Sequence, residues 1–298
     1  PGLPLLPKVR HPALVCHGGG TVVLREVSIE VGGETLLGRA WVPIADAVGV
    51  VCLIHGLGEH VGRYEHVAKY LCNHGYALVG IDLPGHGRSP GTRGHLGSFR
   101  RIMQVVRESV AEARRQVPGV DCFLYGHSMG GNIVLNYLAR EKPSLAGALV
   151  TSPWLRLAVP VPRAAVGLLG LISSVVPSFS RPNQLSSSYL SRDPDVAARY
   201  DADPLVHNMI SAQTFVQVSR AAGWVMHHPR DIQAPLLLMH GSADAITDPG
   251  ASAELARQIG PSCTFRLWDG FYHELHNDVG REEVLECIKD WFDSRRRR

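Results

Sequence analysis

The segment Gly126-His127-Ser128-Met129-Gly130 places a serine between two glycines, each two residues away. It follows an apolar run at 122–125 and opens a helical pattern over 132–140. A serine on a sharp strand-to-helix turn sits in a strained backbone conformation, the glycines leave room for the turn to close, and the hydroxyl projects above a sheet edge. The chemistry that this geometry serves is attack on an acyl carbon. A hydroxyl is a poor nucleophile until a base takes its proton, and the base needs an acid to orient it.

In such folds the acid and then the histidine follow the nucleophile along the chain. Gly241-Ser242-Ala243-Asp244 lies just beyond the apolar run 235–240 and makes Asp244 the candidate acid, with Asp248 as the alternative. Of the 15 histidines only His273 and His276 come later. His273 stands in the loop after the run 264–268 and is the expected base, with His276 as the alternative. The developing oxyanion needs two N–H donors. Met129, next to the nucleophile, supplies one amide, and Leu57 in His55-Gly56-Leu57-Gly58 is the candidate for the other. A plain glycine turn is the alternative for that early loop.

Other motifs fail. Gly56-Leu57-Gly58 lacks the third glycine of a dinucleotide fingerprint because position 61 is Val61. His273-Glu274-Leu275-His276 resembles a zinc-protease motif, but the second histidine would have to stand where Asn277 does. There is no P-loop, and no cofactor or metal is expected.

The elements that must position these residues read as short apolar runs alternating with helical patterns, the signature of a mostly parallel sheet covered on both faces. Strands are expected at 49–55, 77–82, 122–125, 146–152, 235–240 and 264–268, each buried on both faces. An antiparallel pair at 22–30 and 35–41 precedes them. Helices are expected at 64–73, Phe99–Gln116, 132–140, 251–259 and 281–294. From 154 to 228 the alternation stops, so this segment reads as an insertion, apolar over 155–176 and polar over 186–207. An apolar helix outside a core suits a cover over a greasy cleft, although docking on the core would also account for it.

At 298 residues, 45% hydrophobic and 19% charged, the chain can bury one large core with an insertion. The net charge of +3 includes the terminal run Arg295 to Arg298, read as a solvated helix end, and indicates no nucleic-acid partner. Cys16, Cys52, Cys72, Cys122, Cys263 and Cys287 are scattered without a C-x-x-C pair, as expected of reduced thiols in a cytoplasmic protein. The opening Pro1-Gly-Leu-Pro-Leu-Leu-Pro7 does not read as a signal peptide, and the apolar stretch 164–176 is too short to span a bilayer.

Six stretches carry a likeness: His55-Gly-Leu-Gly-Glu-His60 with Gly62-Arg63-Tyr64, Asp82-Leu-Pro-Gly-His-Gly-Arg-Ser89, Gly126-His-Ser-Met-Gly-Gly131, Tyr200-Asp-Ala-Asp-Pro-Leu205, Gly241-Ser-Ala-Asp244 and Tyr272-His-Glu-Leu-His276. Together they resemble the monoacylglycerol lipases and their lysophospholipase-like relatives. The resemblance implies the α/β-hydrolase fold, with a core at 20–153 and 229–298 and a helical cap at 154–228. It implies a Ser128–His273–Asp244 triad with Leu57 and Met129 as oxyanion donors. It also implies that Glu59, Arg63, Tyr200 and His276 surround a small polar pocket for the glycerol end of the substrate. Where the family carries a reactive cysteine this chain has Thr247, so thiol sensitivity is not implied.

The expected activity is hydrolysis of a small lipid ester, a monoacylglycerol, to glycerol and fatty acid. The alternatives are a lysophospholipase or a general carboxylesterase and, more remotely, a non-catalytic ligand-binding relative. An apolar cap further implies transient contact with lipid aggregates or a membrane surface, by a protein otherwise expected to be cytoplasmic.

Overall fold

The computed structural model describes residues 22–296. The proline-rich start, Cys16, positions 20 and 21 of the expected core, Arg297 and Arg298 lie outside the described residues. The strands are β1 (Val22–Val31), β2 (Glu34–Pro43), β3 (Gly49–Ile54), β4 (Tyr76–Ile81), β5 (Asp121–His127), β6 (Gly147–Thr151), β7 (Ser180–Pro182), β8 (Met209–Ser211), β9 (Leu236–Gly241) and β10 (Cys263–Trp268). The helices are α1 (Glu65–Asn73), α2 (Phe99–Gln116), α3 (Met129–Glu141), α4 (Arg163–Val175), α5 (Pro194–Ala202), α6 (Ala212–His227), α7 (Pro249–Ile259) and α8 (Arg281–Arg295).

Eight strands form one sheet in the order β1-β2-β4-β3-β5-β6-β9-β10. The β1–β2 and β2–β4 pairs are antiparallel, and the pairs from β4 to β10 are parallel. This is the α/β class expected from the alternation. Every residue of β3, β4, β6 and β9 is buried, because helices cover both faces, and that is why these strands are continuous apolar runs without alternation. β10 departs from the expectation of burial on both faces. It is the sheet's last strand, and its Arg266 and Leu267 are exposed.

The core is split by the sheet. One side packs α2, α3 and α7 through residues such as Val106, Ile133 and Leu255, and the other packs α1 and α8 through Leu71, Ile288 and Phe292. α2 spans the expected Phe99–Gln116, with the Ser98 side chain capping its start by accepting from the Arg101 amide. Cys52, Cys72 and Cys122 are buried free thiols.

Between β6 and β9 the chain does not behave as one inserted piece. α6 packs against α3: Asn132 Nδ2 donates to the Val218 carbonyl at 3.2 Å, Asn136 Nδ2 to that of Ala221 at 3.1 Å, and Val218 and Val225 join the core. α6 is thus the crossover helix that returns the chain to the sheet. α4, the antiparallel pair β7–β8 and α5, which lies between those two strands, overhang the carboxyl ends of the strands. Among the described residues no helix is long and apolar enough to cross a membrane.

Candidate active site

Parallel strands deliver their loops to one edge, and there the carboxyl ends of β3, β5, β6, β9 and β10 place His55, Ser128, Ser152, Asp244 and His273. Ser128 has φ 54° and ψ −118°, a strained conformation for a residue with a side chain. The glycines are needed sterically. A Cβ on Gly126 would come within 2.6 Å of the Gly130 carbonyl oxygen, and one on Gly130 within 2.1 Å of that of Ile54. The turn is locked by Ser128 N–H donating to the Thr151 carbonyl at 3.0 Å and by Asn132 and Trp154 N–H donating to the Ser128 carbonyl.

His273 Nε2 lies 2.9 Å from Ser128 Oγ, and His273 Nδ1 lies 2.7 Å from Asp244 Oδ2. The carboxylate fixes the tautomer: Nδ1–H donates to it, which leaves Nε2 free to accept the serine proton. Asp244 Oδ1 accepts the Ile246 and Thr247 amides at 2.8 and 3.0 Å, and Oδ2 also accepts from Thr247 Oγ1 at 2.8 Å and from His240 Nε2 at 3.0 Å. Burial alone would raise the Asp244 carboxyl. The positive potential of His273 and the donated hydrogen bonds outweigh it and hold the group well below the usual carboxylate range. Burial pushes the His273 imidazole down, but the adjacent Asp244 charge more than offsets this and raises it above its ordinary value. Ser152 Oγ donates to the His273 carbonyl at 2.7 Å and anchors the loop.

The two alternatives weighed from sequence lie elsewhere. Asp248 caps α7 and pairs with Arg156. His276 is fully buried, its ring stacked on Tyr64 at 4.6 Å and its Nδ1 3.3 Å from Tyr125 OH, and it makes no contact with Ser128.

Met129 begins α3, so its amide is one of the N–H groups that a helix start leaves without an internal partner. In the early loop the Gly56 amide donates to Glu59 Oε1 at 2.6 Å, and the Gly58 carbonyl accepts from the His207 amide at 2.9 Å. Leu57 between them lines the cavity above Ser128. The loop is pinned from below by His55, whose Nδ1 donates to the Gly56 carbonyl while its Nε2 accepts the Leu83 amide. From above it is pinned by Asp203 of the overhanging segment, whose Oδ2 lies 2.8 Å from His60 Nε2.

A cavity of about 410 Å³ opens above Ser128. Leu157, Val161, Leu169, Phe179, Ile210 and Phe215 make its apolar part, half of them from the overhanging segment. The set expected around the polar end is only partly on its wall. Glu59 and Tyr200 line the cavity, whereas Arg63 and His276 stand behind it. Arg63 is held by two carboxylates: Nη1 donates to Glu59 Oε2 at 2.8 Å and to Glu274 Oε1 at 2.6 Å, and Nη2 to Glu274 Oε2 at 2.8 Å. Its guanidinium carbon also sits 4.6 Å from the Tyr200 ring centroid.

Sequence reasoning missed Glu274 and His240. Glu274 lines the cavity next to the base in sequence, inside the string set aside as a failed zinc motif. His240 is fully buried directly before Gly241, and an imidazole at the end of a central strand, four residues before the candidate acid, was the available signal.

The strained serine, the aligned imidazole and carboxylate, and the loop amides beneath an apolar cavity define a serine hydrolase of the α/β-hydrolase class. The family described as serine aminopeptidase, S33, matches residues 45–280, and the chain belongs to that family. It is 35% identical over 266 residues to an uncharacterized abhydrolase domain-containing protein of Dictyostelium discoideum, covering 88% of this chain but only 28% of that much longer relative. It is 32% identical over 266 residues to a monoacylglycerol lipase of Mycolicibacterium smegmatis, covering 89% of this chain and 95% of that one. The crystal structure of the Paleococcus ferrophilus monoacylglycerol lipase superposes with a TM-score of 0.79 at 34% identity, covering 87% of this chain and 99% of that one. By this likeness the chain also belongs to the family of the monoacylglycerol lipases.

Proposed function

We propose that the protein hydrolyses monoacylglycerols to glycerol and a fatty acid through an acyl-enzyme on Ser128. The observation that carries this reading is the position of Ser128 Oγ, 2.9 Å from His273 Nε2, at the junction between an apolar cavity and a polar end walled by Glu59 and Tyr200. Ser128 Oγ attacks the ester carbonyl as His273 Nε2 takes its proton. The carbonyl oxygen gains the negative charge, and the Leu57 and Met129 amides donate to it. His273 then gives the proton to the glycerol oxygen, the carbon–oxygen bond breaks, and glycerol leaves. Water, deprotonated by the same imidazole, attacks the acyl carbon, and collapse returns the proton to Ser128 Oγ as the fatty acid departs. Asp244 stays ionised throughout and holds the imidazolium.

The segment from α4 to β8 acts as the cap. On it Leu168, Leu171, Val175, Val176 and Phe179 are exposed within twelve residues, a surface suited to transient contact with a lipid aggregate from which substrate enters. The acyl chain fits the apolar wall and the glycerol the polar end.

The test is a hydrolysis profile of the purified protein on a long-chain monoacylglycerol, the matching triacylglycerol and a short p-nitrophenyl ester. The reading expects the monoacylglycerol to lead in kcat/KM. A profile led by the short ester would contradict it.

A further inference from the structure

What the polar end accepts depends on its charge, and two carboxylates form its wall. Glu59 and Glu274 are each 2% exposed, and both line the cavity. Their acceptor positions are largely taken from behind. Glu59 Oε1 accepts the Gly56 amide and Tyr64 OH, and Glu274 Oε2 accepts Asn277 Nδ2 at 2.7 Å. Both share the single guanidinium of Arg63, which does not itself line the cavity. Two anions in front of one cation leave a net negative charge at the wall, where little water can screen it. Burial and the Arg63 charge act on Glu274 in opposite directions, and the arginine prevails, keeping the carboxyl ionised. Among the described residues the one Arg or Lys lining the cavity is Arg181, exposed on β7 in the cap, with Asp201 also on the wall there.

On the reading of the preceding section, we propose that Glu274, together with Glu59, makes the polar end a subsite for uncharged, hydroxyl-bearing leaving groups and turns away esters whose leaving group carries a phosphate. A polyol brings O–H donors to carboxylate oxygens. A phosphate brings acceptors and a like charge to the same place, and Arg63, already committed to both carboxylates and stacked on Tyr200, is not turned toward it.

The experiment compares kcat/KM for 1-oleoylglycerol and 1-oleoyl-lysophosphatidic acid, each at the same mole fraction in neutral detergent micelles. It uses the wild type, Glu274→Gln and the charge-preserving Glu274→Asp, with a p-nitrophenyl ester as a check on the catalytic groups. The wild type is expected to favour the uncharged lipid by about a hundredfold, and Glu274→Gln to shrink that ratio by roughly tenfold, as removal of one buried like charge implies. Glu274→Asp should keep most of the discrimination, which a purely structural role for the side chain would not require.

Equal wild-type turnover of the two lipids would overturn the inference while leaving monoacylglycerol hydrolysis standing. An unchanged ratio in a folded Glu274→Gln protein would do the same. Turnover of the p-nitrophenyl ester without turnover of 1-oleoylglycerol would overturn both readings. If Glu274→Gln does not fold, the wild-type ratio and the Glu274→Asp ratio decide.

Discussion

His240 and His273 donate to the same oxygen: Asp244 Oδ2 accepts His240 Nε2 at 3.0 Å and His273 Nδ1 at 2.7 Å. Ser252 Oγ, 2.8 Å from His240 Nδ1, sets the tautomer that makes Nε2 the donor. Asp244 is therefore held by a second buried donor besides the base, so its angle to His273 is set before substrate arrives. His240→Ala should lower kcat by roughly tenfold to a hundredfold with little change in KM, since small misplacements at the reacting centre carry penalties of that size. Steady-state kinetics on a folded variant check this, and a KM effect alone would count against it.

Asp244 raises the pKa of His273, so removing its charge has a signed consequence. Asp244→Asn should lower kcat by about 10⁴. It should also move the acid limb of the kcat/KM profile to lower pH, because the imidazole then stays neutral further down the scale. A limb that stays in place or moves to higher pH would argue against the pair.

Gly58 has φ 79°, and a Cβ there would lie 2.3 Å from the His207 carbonyl oxygen. Gly58→Ala should cost about 1–3 kcal/mol of stability from backbone strain alone. It should also reduce kcat, because the displaced loop is the one that carries the Leu57 amide. Denaturant unfolding and turnover should fall together. A variant as stable and as active as the wild type would show that the cap does not clamp this loop.

Stability should fall as pH drops below about 6.5. Burial lowers the imidazoles of His55, His86 and His276, and pushes His127 down to about 3. The unfolded chain takes up protons on these groups near pH 6.5 while the folded chain does not. Each therefore removes up to about 1.4 kcal/mol per pH unit below that point. His273, raised, acts in the opposite sense, but it is one group against several. Asp244 and Glu274, held low in the fold, add a further loss below the ordinary carboxylate range. Denaturation midpoints from pH 8 to 4 check this, and a midpoint that rises toward pH 5 would contradict it.

What could be read in the chain and what could not divide along sequence distance. β3, β4, β6 and β9 are legible because burial on both faces leaves apolar runs with clear ends, and Ser128 because a strained turn demands local glycines. The order of Ser128, Asp244 and His273 follows from where successive parallel strands end. The bond between Arg63 and Glu274 joins residues 211 apart and leaves no local pattern, so a cavity-wall carboxylate passed as part of a broken motif. From sequence α6 reads as part of the insertion, because the asparagines of α3 that meet its buried face lie some eighty residues away and no periodicity shows them. β10 looked like its neighbours because strand patterns carry no mark of the sheet's edge.

The central claim is that Ser128 Oγ carries the acyl group. Hydrolysis of 1-oleoylglycerol by the wild type and by Ser128→Ala, with mass analysis of the acid-quenched wild-type reaction, tests it most directly. An oleoyl adduct on the peptide containing Ser128 is expected, with the loss of nearly all turnover in the variant. Sustained turnover by folded Ser128→Ala, or an adduct on another residue, would contradict it.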